Sequence, residues 1–161
     1  MRPLYSPEQL ARRDASRWTT VQAVLAPLQF MVFLASLALV LHYLWTGAGL
    51  AAATVSIVAK TLLLYTIMIT GAIWEKDVFG VYLFAPSFLW EDAVSMLVIG
   101  LHTAYLVVMV AGLAPPRLQV EIALAAYFAY VVNATQFVLK LRAARRWRRS
   151  APSARKWAVA E

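Results

Sequence analysis

The sequence predicts an all-α integral membrane protein, a four-transmembrane-helix bundle with an N-terminal interfacial helix and an aromatic cytoplasmic connector. Three observations lead there. Of 161 residues, 62% are hydrophobic and only 14% charged, far outside the balance of a soluble domain. Residues 18–59 contain no Lys, Arg, Asp or Glu, which leaves room for two spans of roughly 20 residues each on either side of Gly47-Ala48-Gly49. Further uncharged runs cover 93–116 and 122–139. The 15 Lys and Arg residues crowd the two ends, with Lys76 between the middle spans and only Arg117 on the opposite side. With an even number of spans, the positive-inside rule puts both termini and the middle connector in the cytoplasm.

Residues 1–161 therefore read as a single four-helix membrane domain: an interfacial tail over 1–20, spans near 21–45, 51–73, 91–112 and 118–141, and a basic tail over 142–161. In the first tail, Ser6-Pro7-Glu8-Gln9 offers a Ser cap, Pro at the first helical position and Gln three residues after the cap. Arg12, Arg13 and Arg17 opposite Leu10 and Trp18 suit a short helix at headgroup level. The first apolar run follows a charged tail and is too long for a signal-peptide core, so it reads as a retained span. Within it Gln22, Gln29, Ser36 and Tyr43 recur every seven residues, a polar stripe expected to face protein; Pro27 is a kink position. Lys60 lies inside the second span, with a head expected to snorkel toward the opposite surface. Gly100, Ala104, Ala123, Ala126 and Ala129 permit close helix approach.

The net charge of +7 raises the question of nucleic acid. The basic residues Arg142, Arg145, Arg146, Arg148 and Arg149 directly follow a span and have no recognition fold beside them, so anionic lipid headgroups are the expected partner. The absence of cysteine removes iron–sulfur ligation, covalent c-type haem and thiolate catalysis.

Four of the 8 acidic residues, Glu75, Asp77, Glu91 and Asp92, fall within residues 75–92. Trp74, Phe79, Tyr82, Phe84, Phe88 and Trp90 are interspersed with them. Carboxylates at a membrane boundary beside flat rings point to acid–base chemistry on an aromatic ligand; solvated boundary charges are the plain alternative. Glu75 ends the second span, where the negative end of the helix dipole disfavours ionisation, which suits a general acid. Glu91 and Asp92 begin the third span, where the positive end favours carboxylates able to bind or deprotonate water. Lys76 is placed to undo this by pairing with Glu75.

Glu91, Ser95 and His102 lie within about 40° of one helix face, a proton-competent stripe that carries His102 about 16 Å below Glu91. Asn133, Gln136 and Lys140 share a face of the last span, as substrate contacts or as interhelical hydrogen bonds. Tyr65 shares a broad face of the second span with Thr61, Met68 and Glu75. His42 falls near the outer surface and His102 near the midplane, so one haem iron would not reach both.

Longer stretches carry a family likeness. Gly71-Ala-Ile-Trp-Glu-Lys, Tyr82-Leu-Phe-Ala-Pro, Phe88-Leu-Trp-Glu-Asp, Ser95-Met-Leu-Val and Leu101-His-Thr-Ala-Tyr, together with Leu4-Tyr5-Ser6-Pro7-Glu8-Gln9 and Tyr130-Val-Val-Asn-Ala-Thr-Gln-Phe, resemble the 2-vinyl bacteriochlorophyllide hydratase family. The resemblance runs from residue 4 to about 145. It implies a bacteriochlorophyll-biosynthesis lyase of a bacterial inner membrane that adds water across the ring A vinyl group of a chlorophyllide to give a 1-hydroxyethyl group. No cofactor is expected, because the magnesium comes with the substrate.

On that reading Glu75 is the acid and Glu91, helped by Asp92, the base, while His102 relays protons or ligates the substrate's magnesium. Phe79, Tyr82, Phe84, Phe88, Trp90, Tyr65, Ser95, Asn133 and Gln136 are expected to bind the macrocycle. No protein-held metal and no nucleic acid are expected; a homo-oligomer or a complex with pathway enzymes is compatible with the chain. A non-catalytic tetrapyrrole carrier or assembly subunit is the alternative from another class, and a small multidrug-type transporter a third.

Overall fold

The computed structural model describes residues 4–150, and side chains as far as residue 146; the basic residues Arg148, Arg149, Arg155 and Lys156 of the expected tail lie outside the described side chains. The elements are α1 (Pro7–Ala15), α2 (Arg17–Thr46), α3 (Leu50–Phe79), α4 (Leu89–Val110) and α5 (Pro116–Ser150). Four of them, α2 to α5, are long and apolar enough to cross a membrane, which makes this an all-α, multi-pass membrane bundle.

The short helix α1 begins as expected. Ser6 accepts from the Gln9 N–H and the Gln9 side chain accepts from the Ser6 N–H, a complete capping box with Pro7 at the first turn. Ser16 ends α1 and caps α2 through a hydrogen bond from the Trp18 N–H, so the chain turns at one residue. Its hydroxyl also donates to Asp77 at 2.8 Å. Trp74 Nε1 donates to Thr19 Oγ1 at 2.9 Å, fastening the start of α2 to the end of α3.

Helices α2 and α3 pack along each other as one hairpin and α4 and α5 as a second, whereas the hairpins meet along thinner seams. The first hairpin turns at Gly47 and Gly49, both with positive φ, a conformation that costs glycine nothing. The polar stripe of α2 faces inward: Gln29 and Ser36 are buried, and Gln22 Nε2 reaches Thr70 Oγ1 at 2.8 Å. Pro27 lies inside an unbroken α2. The core between hairpins holds Phe33, Leu64, Val98, Tyr105, Tyr127 and Tyr130, with Ser36 bonded to both Ser56 and Tyr127. Ala123, Ala126 and Ala129 are buried on α5, where small side chains let helices approach.

Two expectations are corrected. Lys60 does not snorkel. Its side chain is fully buried, and Nζ sits 3.8 Å from the centroid of the Tyr130 ring and 5.7 Å from that of Tyr127; an aromatic face inside the bundle supplies the attraction that a long climb to the headgroups would otherwise provide. The connector is also shorter than its composition implied. Helix α3 continues to Phe79 and stops where Gly80 takes φ 85° and returns its N–H to Lys76 O, so Glu75 and Asp77 are helical and the loop covers only 80–88. Similarly, α5 runs beyond the expected end of its span, carrying Arg142, Arg145 and Arg146 as exposed helical residues.

Candidate active site

The last turns of α3 and the first turn of α4 bring three carboxyls together at one end of the bundle. Glu75, Glu91 and Asp92 are all buried, at 5%, 8% and 5% exposure. The Glu75 and Asp92 carboxyls lie beside each other within interacting range, and two buried carboxyls so placed do not readily ionise together, a setting that suits one proton shared by the pair. The loop supplies two further donors. The Phe84 N–H donates to Asp92 Oδ2 at 2.8 Å and the Ala85 N–H to Glu75 Oε2 at 3.4 Å, so consecutive amides cup the pair as a small backbone nest. Phe84 has φ 60°, a strained left-handed conformation for a bulky residue, and that twist accompanies the aiming of both amides at the carboxyls.

Glu91 is engaged elsewhere. Lys140 Nζ on α5 lies 2.5 Å from Glu91 Oε2 and 4.8 Å from the centroid of the Phe88 ring. The expected Lys76–Glu75 pairing does not form; Lys76 instead donates to Gly80 O at 2.8 Å and lies over Tyr82. The expected division of labour thus meets a different geometry: Asp92 faces Glu75, and Glu91 faces a cation.

One turn deeper, Asn133 Nδ2 donates to Ser95 Oγ at 2.8 Å, while Asn133 Oδ1 and Gln136 Oε1 are buried without a hydrogen-bond partner. Deeper again, His102 is fully buried; Nδ1 is 2.8 Å from Val98 O. A carbonyl only accepts, so Nδ1 carries the proton and Nε2, which has no partner, presents a lone pair in the neutral ring. Glu91, Ser95 and His102 do share the inward face of α4.

The aromatic residues divide in two. Phe88 is the centre of a packed cluster, with Trp74, Phe79 and Phe137 at 5.7, 5.6 and 6.0 Å between ring centroids, and Tyr5 stacks on Phe79 at 5.7 Å. Through Phe88 the cluster also meets Lys140, the partner of Glu91. Tyr82, Phe84 and Trp90 are exposed, at 60%, 46% and 73%. Tyr65 lies at the α3–α4 seam, its hydroxyl 2.7 Å from Thr103 Oγ1.

Several residues of this end escaped sequence reasoning. The Phe84 and Ala85 amides belong to the backbone and leave no signature in residue type. Lys140 was visible on the Asn133 face, but its partner 49 residues away was not. Among the described residues no cluster of three or more metal-ligating side chains occurs.

Fold and site together define a multi-pass helical membrane protein with a pair of buried, neighbouring carboxyls at one end of the bundle, apparatus suited to acid–base chemistry. Residues 5–143 match the family model for 2-vinyl bacteriochlorophyllide hydratase (BCHF). The chain is 67% identical over 144 residues to the 2-vinyl bacteriochlorophyllide hydratase of Cereibacter sphaeroides, covering 89% of each chain. It is 63% identical over 142 residues to the protein of that name from Rhodobacter capsulatus, covering 88% of this chain and 82% of the relative. No solved structure matches the chain. The chain belongs to the 2-vinyl bacteriochlorophyllide hydratase family.

Proposed function

We propose that this protein is a lyase of bacteriochlorophyll biosynthesis that hydrates the ring A vinyl group of a chlorophyllide-type tetrapyrrole to a 1-hydroxyethyl group. The observation that carries the mechanism is the burial of Glu75 and Asp92 side by side at one end of the bundle, where one proton shared between them serves as the acid. A vinyl group conjugated to the macrocycle accepts a proton at its terminal carbon because the resulting cation is delocalised over the ring. Glu75 donates that proton as the π bond breaks and the new C–H bond forms. Water attacks the inner carbon, forming the C–O bond, and its surplus proton passes to Asp92. The pair ends with the one proton and the single negative charge it began with, so the reaction changes no net charge in a site of low dielectric. General acid and base steps of this kind each contribute about 10² to 10⁴-fold.

The geometry favours Asp92 over Glu91 as the base, since Asp92 is the carboxyl in contact with the acid, and Glu91 with Lys140 holds the start of α4 against α5. Phe84, Tyr82 and Trp90 are exposed rings available to an arriving macrocycle, and Ser95, Asn133, Gln136 and Tyr65 are the polar groups proposed to contact it deeper in the bundle. His102 would be the residue to hold the substrate's magnesium, since its Nε2 has no partner while the other ring nitrogen is tied to a carbonyl. The substrate brings the magnesium, and hydration needs no redox cofactor.

The site end is assigned to the cytoplasmic face of a bacterial inner membrane, with both termini on that side, by the concentration of Lys and Arg there. Arg142, Arg145 and Arg146 would meet anionic headgroups.

The deciding assay gives the detergent-solubilised protein a vinyl chlorophyllide in isotopically labelled water. The expected product is a more polar pigment heavier by one labelled water. Pigment bound but recovered unchanged would replace the hydratase with a carrier.

A further inference from the structure

Six buried side-chain atoms among the described residues lack a hydrogen-bond partner: both amide atoms of Gln29, Lys60 Nζ, His102 Nε2, Asn133 Oδ1 and Gln136 Oε1. They are not scattered. Ser36 meets Tyr127 and Phe33 meets Tyr130 across the antiparallel α2–α5 pair, and continuing that register by one turn brings Gln29 level with Asn133 and its partner Ser95. Lys60 lies over Tyr130 and Tyr127, and the His102 ring lies 5.9 Å from that of Tyr127. The orphaned atoms therefore form one file through the bundle core, between the two hairpins, running from the carboxyl pair toward the far side of the membrane.

Unpaired polar atoms at such depth are costly and mark functional positions. Lys60 is the most demanding of them. An ammonium held against two aromatic faces gains attraction from the rings, yet its hydrogens have no acceptor, and an intramembrane cation calls for an anion. Fifteen residues of α3 separate Lys60 from Glu75 (75 minus 60), about 22 Å along the helix, with His102 at an intermediate depth ten residues from Asp92, about 15 Å. That interval is of the order of a tetrapyrrole's width, but the core along it is closed, with Lys60 and His102 fully buried, so a pigment enters only if the helices separate. The hairpins are the elements able to separate, since they meet along thin seams bridged on the α3–α4 side by Tyr65 and Thr103.

We propose that Lys60 is the anion-anchoring residue of a substrate slot between the hairpins, receiving the carboxylate of the chlorophyllide's propionate arm while the vinyl group meets Glu75 and Asp92. This rests on the tetrapyrrole reading above and extends it. A chlorophyllide carries that carboxylate free; an esterified chlorophyll does not, so Lys60 would also select the unesterified pigment.

The test compares a chlorophyllide with its propionate methyl ester on the purified protein, by pigment absorbance titration and by initial rates. Wild type should bind the free acid about ten-fold or more tighter than the ester, as expected for a charge-assisted hydrogen bond. Lys60→Met should raise Kd and KM for the acid to the ester's values and so erase the preference between the two pigments. Lys60→Arg should restore part of the preference.

Equal binding of acid and ester by wild type, or a Lys60→Met protein that keeps the preference, would overturn the proposal. A substitution at a fully buried position can unfold the bundle, but the wild-type comparison decides without any variant. A wild-type protein that prefers the acid yet forms no alcohol would sink the hydratase reading and leave Lys60's role standing.

Discussion

Lys140 Nζ stands 2.5 Å from Glu91 Oε2, joining α5 to the first turn of α4 across 49 residues of sequence. The pair is mostly withdrawn from water, with side-chain exposures of 24% for Lys140 and 10% for Glu91. It occupies the carboxylate that α4 dipole considerations made the first choice for base, and Lys140 beside Phe88 links the aromatic cluster to α5.

Removing one partner of this pair strands the other in a poorly solvated place. Lys140→Met or Glu91→Gln alone should each destabilise the protein by about 1–3 kcal/mol, below the full cost of breaking a wholly buried pair because Lys140 is partly solvated. The double variant should recover much of that loss. Thermal or denaturant unfolding in detergent gives the double-mutant cycle; additive losses would mean that the two groups do not interact.

The Glu75–Asp92 pair makes a kinetic prediction. Glu75→Gln and Asp92→Asn should each lower kcat by about 10² to 10⁴-fold, with pigment affinity little changed. Since the two act as one proton-sharing unit, the double variant should be scarcely worse than the more damaged single. Multiplying losses, measured by single-turnover formation of the alcohol, would assign the carboxyls to independent steps.

A unit that works with one proton between two carboxyls loses function when it gains a second or gives up the first. The rate should therefore trace a bell against pH, with two macroscopic ionisations belonging to the pair rather than to either residue. Glu75→Gln should erase one limb from any residual activity. A flat profile in wild type would exclude proton sharing as a requirement.

Phe84 offers a backbone test. At φ 60° an L side chain suffers a clash that glycine escapes, worth roughly 1–2 kcal/mol. Phe84→Gly and Phe84→Ala lose the same ring, so their difference isolates the backbone: glycine should be the more stable by about 1 kcal/mol, the reverse of the usual order. Activity should follow, because the amides of residues 84 and 85 hold the carboxyls. An alanine variant as stable as the glycine variant would place no strain at this turn.

Trp74 links α3 to the start of α2 through Thr19. Trp74→Phe keeps ring contact with Phe79 and Phe88 but drops the hydrogen bond, and should cost about 1 kcal/mol while raising the protease sensitivity of α1. Unchanged cleavage would show that α1 is held by other contacts such as Ser16 to Asp77.

Much of this protein is legible in the chain itself. Hydrophobic run length determines that there are four spans, since each must satisfy its own backbone within the bilayer. The capping box of α1, the inward stripe through Gln29 and Ser36, and the alignment of Glu91, Ser95 and His102 are likewise local, following from helical periodicity alone. The family likeness reaches as far as the matched segments do. What no local rule decides is how far each helix turns about its own axis and which side chains then meet. Glu75 found Asp92 and Glu91 found Lys140 because tertiary packing set those rotations; Lys60 turned inward because Tyr130 offered a ring at its depth; and the amides of Phe84 and Ala85 reached the carboxyls only through a strained turn. Electrostatic partnership is a matter of a few ångströms between distant parts of the sequence, and packing alone settles it.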